Sequence, residues 1–565
     1  MIEQKGAPWF KFYDKNVSPT IEIGDSTYLD LLESGLSNDR NRPALFYMGK
    51  TITFGELDSY ANRFSGFLLK NGLKQGDVVG IDLPNIPEYL IALIGAVRTG
   101  CAITGISPLL TPKEMAYQIN DAEVSTLVIL DMLFEERLLK IKDEIPGVRH
   151  VAVANVGSFL PAPKRFLGKL FKKIPFGNIS PLKNKIVIPF SSVLTDYPAQ
   201  TYSPETTPED TLLIQYTGGT TGLPKGTLLT HRNIVANIKH CETWSGFEIG
   251  NDVLCSGFPF FHLAGLAFGM VALASSNPQC LIPDPRNTKH ICQEIKKHRP
   301  TLMANVPTLY QMLLDNPMFK TLDFSPLKAC ISGAAPFSVE SIRAFETLVG
   351  KGKVLEVYGM TEASPILTMN PYKGIKKIGS VGIPVQNTKI KIVDLETGKK
   401  ELKSGEEGEL IANGPQVMKG YHKKPGESDH ALRKFQDDVW LYTGDVAKMD
   451  EDGYITIVDR AKDMLIVGGY KVFSREVEET LYQHPAIEFC AIVGLPNTDR
   501  EGSEIVKAVI QRTSDTKRKD AETLKADILN FCRENMAPYK VPKIIDFVDA
   551  IPLTAVGKVD KKALR

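Results

Sequence analysis

The chain has 565 residues, which predicts two or more domains, because a single hydrophobic core rarely grows beyond roughly 250–300 residues. Its hydrophobic content of 43% and charged content of 24% are typical of a soluble globular protein, and a formal net charge of +1 gives no electrostatic case for a nucleic-acid-binding protein. The eight cysteines form no Cys-x-x-Cys pair and the nine histidines no His-x-x-x-His pair, so we expect reduced thiols in a cytoplasmic protein, no zinc site and, without an apolar N-terminal segment, no signal peptide.

The first part of the chain alternates between short apolar runs and helical patterns. Residues 44–54 read as a strand, a Gly-Lys turn and a second strand, and residues 55–71 have apolar side chains at helical spacing. More strands are predicted over residues 78–83, 102–106 and 126–130, with helices over 86–99 and 111–121. This alternation predicts a parallel sheet with helices on both faces.

Residues 159–175 differ, because they combine basic and apolar side chains at helical spacing. The apolar face and the lysines that flank it are Phe166, Leu167, Leu170 and Phe171, with Lys164, Lys169, Lys172 and Lys173. Two interpretations stay open. The segment is either a helix that lies on the anionic inner surface of a membrane, or an insertion whose apolar face packs on its own domain while its lysines face solvent.

A glycine-rich segment at residues 216–226, YTGGTTGLPKG, follows an apolar strand predicted over 211–216. Glycines let backbone N–H groups converge on an anion, while three threonine hydroxyls add donors and Lys225 adds positive charge. The segment therefore has the composition of a phosphate-binding loop, and the alternative is an ordinary loop. It is not a Walker A motif, because Pro224 precedes the lysine and Gly226 follows it.

The α/β pattern continues after this segment and then changes. Strands are predicted over residues 252–258, 300–305, 329–332 and 354–357, with an apolar helix over 263–274. Residues 378–460 contain short strands separated by Gly and Asp turns, which indicates a smaller β-rich unit. The chain from about residue 463 mixes strands and helices, as a small α+β domain does.

Further motifs carry chemistry. The sequence YGMTEAS at residues 358–364 begins where a strand ends, and its Glu362 is a hard oxygen ligand suited to Mg²⁺ beside phosphates. The sequence YTGD at 442–445 offers a carboxylate for ribose hydroxyls. Basic residues and then glycines occur within 459–471, and PLTAVGK at 552–558 ends in a lysine.

These motifs together resemble the adenylate-forming superfamily of acyl-CoA synthetases, aryl-CoA ligases, firefly luciferases and peptide-synthetase adenylation domains. The resemblance covers residues 25–565, with the motifs in the family's order and spacing. Four other segments are similar to those of bacterial and archaeal long-chain fatty acid–CoA ligases: residues 369–372, 379–384, 414–421 and 539–543.

The resemblance implies an α/β fold with a large N-terminal domain of stacked sheets and a β-rich subdomain, followed by a small mobile α+β C-terminal domain. It sets an N-terminal domain at residues 1–459, a hinge at 460–462 and a lid at 463–565. Two half-reactions are implied. A fatty acid carboxylate attacks the α-phosphate of MgATP to give acyl-AMP and pyrophosphate, and the thiol of CoA then displaces AMP to give acyl-CoA.

Roles are implied position by position. The β- and γ-phosphates of ATP would be held by Thr217, Gly218, Gly219, Thr220, Thr221, Gly222 and Lys225. Mg²⁺ would be held by Thr217 and Glu362. The rest of the nucleotide would contact Gly333, Ala334, Tyr358, Gly359, Thr361, Asp445 and Arg460. Lys462 would be the hinge residue, Gly468 and Gly469 would open the pantetheine tunnel, and Lys558 would bridge the acyl carboxylate and ATP, since a preorganised cation offsets the repulsion between two anions.

The acyl pocket is implied less specifically. His262 is either a satisfied core histidine or a pocket residue that shifts to admit the thiol; we do not expect it to be a general base, because a CoA thiol ionises with little help. Some long-chain members carry a gating tryptophan where this chain has Leu266. The apolar residues Phe260, Phe261, Leu263 and Phe268 suit an acyl chain, and equally suit a plain core.

Two alternatives remain at this stage. The first is another ligase, which either uses a different acid, such as an aryl or short branched acid, or loads the phosphopantetheine of a carrier protein. The second is a lipid-binding scaffold on a degenerate ligase fold. The presence of Thr217, Glu362, Asp445 and Lys558 argues against the scaffold. Oligomeric state and the residues that bind the CoA nucleotide are not given by the sequence, and a homodimer is one candidate.

Overall fold

The computed structural model describes residues 6–171, 174–200, 202, 204–217, 223–461, 463–468, 470–497, 503–554 and 558–565. Up to residue 200 the chain alternates strands and helices as the sequence predicts. The strands are β1 (Pro43–Tyr47), β2 (Lys50–Thr53), β3 (Val78–Asp82), β4 (Ala102–Gly105), β5 (Val124–Leu130), β6 (His150–Ala154) and β7 (Ile186–Pro189). The helices are α1 (Tyr28–Ser37), α2 (Phe54–Lys70), α3 (Pro87–Arg98), α4 (Pro112–Asp121), α5 (Asp131–Leu133), α6 (Leu139–Ile141), α7 (Ala162–Leu170) and α8 (Phe190–Asp196).

The middle of the chain continues this alternation. Its strands are β8 (Thr211–Thr217), β9 (Lys225–Thr230), β10 (Leu254–Ser256), β11 (Gln279–Leu281), β12 (Leu302–Asn305), β13 (Ala329–Ser332), β14 (Val354–Gly359), β15 (Ile366–Met369) and β16 (Ile383–Pro384). Its helices are α9 (His231–Trp244), α10 (Leu263–Ala274), α11 (Thr288–His298), α12 (Pro307–Leu314) and α13 (Val339–Val349).

The rest of the chain is richer in strands. They are β17 (Lys389–Val393), β18 (Gly408–Asn413), β19 (Gly420–Tyr421), β20 (Leu432–Phe435), β21 (Asp438–Met449), β22 (Ile455–Arg460), β23 (Leu465–Val467), β24 (Tyr470–Val472), β25 (Ile487–Pro496), β26 (Glu504–Arg512) and β27 (Ile544–Val548). The helices are α14 (Pro425–Ala431), α15 (Ser474–Leu481) and α16 (Ala521–Asn535).

Two large sheets organise residues 43–421. One has nine strands in the order β16-β15-β14-β13-β12-β10-β11-β1-β2, and the other eight in the order β19-β9-β8-β4-β3-β5-β6-β7. Their central strands are parallel. The α/β fold class predicted from the sequence is confirmed.

The smaller sheets lie later in the chain. β17, β18, β20, β21 and β22 form a five-stranded sheet within the region predicted to be β-rich, while β25, β26 and β27 form a three-stranded sheet near the C-terminus. The β-rich region is not self-contained, because β16 pairs with β15 and β19 with β9, each at the edge of a large sheet.

The largest hydrophobic cluster contains residues of both large sheets, which joins them into one core. Every residue of α3 is buried, including Arg98, whose guanidinium pairs with Glu33 at 2.6 Å and Asp58 at 2.7 Å. Residues between Leu465 and Ile545 have a cluster of their own. Within the part of the chain that the structure describes, none of the helices combines the length and apolar character needed to cross a bilayer.

Candidate active site

The strand ends of the nine-stranded sheet bring several of the sequence-predicted site residues to one edge. β10, β13 and β14 are parallel members of this sheet, and the segments that follow them carry His262, Gly333 and Thr361. Ligands of open α/β sheets bind beyond the carboxyl ends of the strands. This edge is therefore the candidate site.

Tyr358, Asp445 and Arg460 form a hydrogen-bonded group at this edge. The Tyr358 hydroxyl donates to Asp445 Oδ2 at 2.6 Å, and Arg460 Nε lies 3.1 Å from Asp445 Oδ1. Antiparallel pairing of β21 with β22 sets Asp445 opposite Arg460. The negative charge of Asp445 is the main cause of a raised pKa for Arg460. A buried carboxylate is thus oriented from two sides.

The backbone around Gly359 and Ala334 is constrained. A Cβ at Gly359 would lie 1.8 Å from the carbonyl oxygen of Pro365, so only glycine fits there. Ala334 has φ +68°, a left-handed conformation that is uncommon for a residue other than glycine. Such backbone strain is often found at ligand sites.

Glu362 is buried in a 3-10 turn, Thr361–Ala363, and its Oε1 accepts a hydrogen bond of 2.8 Å from the Tyr421 hydroxyl. The Tyr421 ring also faces Lys225, whose Nζ lies 4.5 Å from the ring centroid. Lys225 pairs with Glu427 at 2.9 Å, and this contact is the main cause of a lowered pKa for Glu427. A carboxylate and an ammonium group therefore contact the same tyrosine, one at its hydroxyl and one at its ring.

Thr217 lies opposite Lys225, because the two residues pair across the antiparallel strands β8 and β9. The glycine-rich segment therefore joins two strands of a hairpin, whereas a Walker A loop leads from a strand directly into a helix. Gly218, Gly219, Thr220, Thr221 and Gly222 lie outside the described residues, as do Lys462 and Gly469.

His262 is the N-cap residue of α10, and its Nδ1 accepts a hydrogen bond of 3.3 Å from the Ala264 N–H. Burial, and secondarily the positive charge of Lys558, lower the pKa of His262 to about 3. The imidazole is therefore neutral near pH 7. A group of this pKa accepts a proton poorly near pH 7.

The segment before His262 is fixed by hydrogen bonds from distant elements. Asn85 accepts from the Phe260 N–H at 2.8 Å and donates to the Phe258 carbonyl at 2.8 Å. Gln215 donates to the Phe261 carbonyl at 2.7 Å. The backbone at the end of β10 is thus tied to the eight-stranded sheet.

Lys558 comes from the C-terminal end of the chain, and its positive charge is the second cause, after burial, of the lowered pKa of His262. Its N–H donates to Thr554 Oγ1 at 3.2 Å, and its carbonyl accepts from the Thr554 N–H at 2.6 Å. The charge of Lys558 therefore acts on the sheet edge that holds His262.

Gly468 and Leu266 are not brought into this group by the described contacts. The Gly468 N–H donates to Ser503 Oγ at 2.9 Å, within the C-terminal part of the chain. Leu266 is buried on α10 as part of the large hydrophobic cluster.

Among the described residues, no group of three or more His, Cys, Asp and Glu side chains could hold a metal ion. Glu362 nevertheless fits one particular mode of Mg²⁺ binding, in which one or two carboxylates and substrate phosphates share the ion. The hydrogen bond from Tyr421 is accepted by Oε1 of Glu362, so Oε2 is the oxygen that would face the ion.

Sequence reasoning missed the contributions of Tyr421, Glu427, Asn85 and Gln215. In the sequence Tyr421 stands out only as part of residues 414–421, the segment similar to that of long-chain fatty acid–CoA ligases. Its contact with Glu362 spans 59 positions and that of Lys225 with Glu427 spans 202. Such separations leave no periodic signal in the sequence.

Comparison with known proteins gives two family models in succession. Residues 32–422 match the model described as AMP-binding enzyme, and residues 476–558 match AMP-binding enzyme C-terminal domain. Curated relatives include the long-chain-fatty-acid–CoA ligases of Bacillus subtilis strain 168, 38% identical over 99% of this chain and 98% of the relative, and of Escherichia coli O157:H7, 35% identical over 99% and 97%.

Solved structures with a similar fold include the anthranilate CoA ligase AuaEII in complex with anthranoyl-AMP. It has a TM-score of 0.84 at 26% identity, over 96% of this chain and 97% of that one. ATP-bound MatB from Rhodopseudomonas palustris has a TM-score of 0.79 at 28% identity, over 96% and 98%.

Proposed function

This chain belongs to the AMP-binding enzyme family, as its motifs predict, and we propose that it is an ATP-dependent fatty acid–CoA ligase that forms AMP. The observation that carries the reaction class is the Tyr358–Asp445–Arg460 group, a buried carboxylate oriented from two sides at the sheet edge that also holds His262. The fatty acid as substrate is supported by the relatives named long-chain-fatty-acid–CoA ligase, which align with nearly the whole chain.

In the first half-reaction the acid's carboxylate attacks the α-phosphate of ATP, and two anions must approach each other. Lys558 offsets their repulsion with a fixed positive charge. The β- and γ-phosphates are held by Thr217, Lys225 and the glycines and threonines at 218–222. Lys225 gives up its contact with Glu427 when it binds the phosphates. Thr361 faces the α-phosphate.

The nucleotide is held by groups that are already oriented. Asp445, fixed by Tyr358 and Arg460, accepts hydrogen bonds from the ribose hydroxyls. Gly333, Ala334, Tyr358 and Gly359 line the adenine pocket. Glu362 and Thr217 would hold Mg²⁺, which supplies charge neutralisation on the phosphates when bound.

The second half-reaction needs a different arrangement. We propose domains at 1–459 and 463–565, with rotation about a hinge at 460–462 that includes Lys462. This rotation withdraws Lys558 and brings Gly468 and Gly469 to the site, so that the thiol of CoA displaces AMP. His262, neutral and held by the Ala264 N–H, gives way to the thiol without taking its proton. Leu266 and its apolar neighbours face the acyl chain.

We also propose that the enzyme is cytoplasmic and touches the anionic inner surface of the membrane through residues 159–175. The helix predicted there is present as α7, on which Phe166 is 69% exposed, and Phe171, which follows the helix, is 63% exposed. This exposure supports a membrane surface over an insertion that packs on its own domain. Homodimer formation is a separate proposal, which light scattering tests.

The decisive experiment is a panel of acids. ATP–pyrophosphate exchange and thioester formation are measured with palmitate, octanoate, benzoate and coumarate, with CoA or a phosphopantetheine carrier protein as acceptor. We expect palmitate or octanoate to react with CoA. Reaction of benzoate or coumarate alone would make the protein an aryl-CoA ligase, and reaction only with the carrier would make it a carrier-loading enzyme.

A further inference from the structure

Four polar side chains connect the proposed hinge to the segment that carries Lys558. Asp459 Oδ1 accepts a hydrogen bond of 3.1 Å from Ser474 Oγ, and Asp459 Oδ2 accepts another from the Ser474 N–H. Ser474 Oγ in turn accepts from Lys561 Nζ at 2.6 Å, and the same Nζ lies 2.9 Å from Glu478 Oε1. We call Asp459, Ser474, Lys561 and Glu478 the hinge cluster.

The hinge cluster is shielded from solvent. Asp459 and Ser474 are buried, and the side chains of Glu478 and Lys561 are 16% and 20% exposed. Glu478 Oε1 also accepts from the Ile492 N–H at 2.8 Å, which ties it to β25. A buried charge is costly without its partner, so these contacts are worth more than a surface ion pair.

The positions of the four residues along the chain give the hinge cluster its significance. Asp459 precedes the proposed hinge, whereas Ser474 and Glu478 follow it on α15. Lys561 comes three residues after Lys558 and begins the 3-10 turn Lys561–Leu564. A single hydroxyl, that of Ser474, thus contacts one residue before the hinge and one beside Lys558.

A second contact crosses the hinge at the same place. Arg475 Nη1 donates to the Ile457 carbonyl at 2.6 Å. Arg475 follows Ser474 on α15, and Ile457 lies two residues before Asp459 on β22. Rotation of the C-terminal part about residues 460–462 moves Ser474 relative to Asp459. The Asp459–Ser474 contact therefore belongs to the arrangement that the structure describes, in which the charge of Lys558 acts on His262.

We propose that Ser474 and Lys561 are positioning residues for acyl-AMP formation, because the hinge cluster holds the lid in the arrangement that presents Lys558 to the site. The inference rests on the proposed function, since it assigns the cluster to the first of the two half-reactions. Opening of the Asp459–Ser474 contact then accompanies the change to the arrangement for thioester formation.

The test compares Ser474→Ala and Lys561→Met with Lys561→Arg and with a control, Lys525→Met. Lys525 is a lysine of α16 whose ion pair with Glu522 lies within that helix. ATP–pyrophosphate exchange reports the first half-reaction, and thioester formation from supplied palmitoyl-AMP and CoA reports the second. We expect exchange to fall about tenfold in Ser474→Ala and Lys561→Met, the size expected for loss of a hydrogen bond to a charged group.

Thioester formation should stay within about twofold in both variants, Lys561→Arg should restore most of the exchange, and Lys525→Met should match the wild type. Equal loss of both half-reactions, or no loss of either, would overturn the proposal. Ser474→Ala removes a single oxygen, so it carries the test if Lys561→Met does not fold.

Hydrogen exchange of the Ser474 amide separates this proposal from the proposed function. Asp459 accepts a hydrogen bond from that amide, so Lys561→Met should speed its exchange if Lys561 holds the hinge cluster together. This readout needs no turnover. Wild-type protein that forms no acyl-AMP from any fatty acid would refute the proposed function, whereas unchanged amide exchange in Lys561→Met would refute the role of the hinge cluster.

Discussion

Lys225 and Glu427 form an ion pair where the glycine-rich segment ends, with 2.9 Å between Nζ and Oε2. They meet because β19 pairs with β9, with Tyr421 opposite Thr227, and α14 follows directly. If Lys225 holds ATP phosphates, Glu427 competes with them for the same ammonium group. The carboxylate then keeps Lys225 in place until the nucleotide arrives.

Glu427→Gln should therefore lower the KM for ATP in ATP–pyrophosphate exchange. The side chains are 26% and 53% exposed, so the pair is worth about 0.2–1 kcal/mol and the expected decrease is about 1.4- to fivefold. Glu401→Gln is the matched control, because Glu401 pairs with Lys391 on the five-stranded sheet. An unchanged KM in Glu427→Gln would show that the two anions do not compete.

Lys558→Ala should abolish acyl-AMP formation yet leave thioester formation from supplied palmitoyl-AMP largely intact. Removing a preorganised cation from a reaction between anions costs about 10²–10³-fold in rate. Thr217→Ala and Lys225→Ala should likewise slow adenylation more than thioester formation. The control is Lys517→Ala, an exposed lysine of the same part of the chain. Equal loss of both half-reactions in Lys558→Ala would contradict the two arrangements of the lid.

Much of the fold follows from local patterns in the sequence. The strands and helices over 78–130 were predictable because their apolar residues alternate with turns at short range, and α2 begins with a capping box in which Thr53 and Glu56 bond each other's backbone N–H groups. The short strand β19 was not predictable, since two residues carry no periodicity and its pairing with β9 depends on the tertiary fold.

The candidate site likewise has residues that the sequence indicates and contacts that it does not. Motifs indicated Tyr358, Glu362 and Asp445, because each stands next to glycines or a strand end. The contacts that orient them were found only in the structure. Tyr421 binds Glu362 across 59 positions, and Arg460 faces Asp445 through the register of two antiparallel strands. Long-range pairing of this kind is set by packing rather than by local sequence.

The lowered pKa of His262 predicts how activity responds to pH. Its value of about 3 lies below the ordinary 6.5, so the imidazole stays neutral at every pH above about 4. Replacement by a neutral amide in His262→Asn should change the rate of thioester formation by a constant factor between pH 5.5 and 8. The measurement is the ratio of wild-type to variant rate across this range. A ratio that changes tenfold near pH 6.5 would show that His262 titrates there.

Contact with a membrane is predicted to depend on the apolar face of α7 and on Phe171, which follows the helix. Phe166→Ser combined with Phe171→Ser removes two exposed aromatic rings, which should reduce co-sedimentation with vesicles of phosphatidylcholine and phosphatidylglycerol several-fold. The fold should survive, because these side chains lie mostly in solvent.

Charge reversal in the same segment tests the electrostatic part of this contact. Replacing Lys169, Lys172 and Lys173 by Glu should weaken binding to the anionic vesicles and leave binding to pure phosphatidylcholine unchanged, because each lysine near an anionic surface contributes about 1 kcal/mol. Reversal of the exposed Lys517 and Lys519, far along the chain, is the control. Acyl-CoA synthesis from soluble acid should be the same in every variant. Unchanged vesicle binding in both the aromatic and the lysine variants would favour an insertion that packs on its own domain.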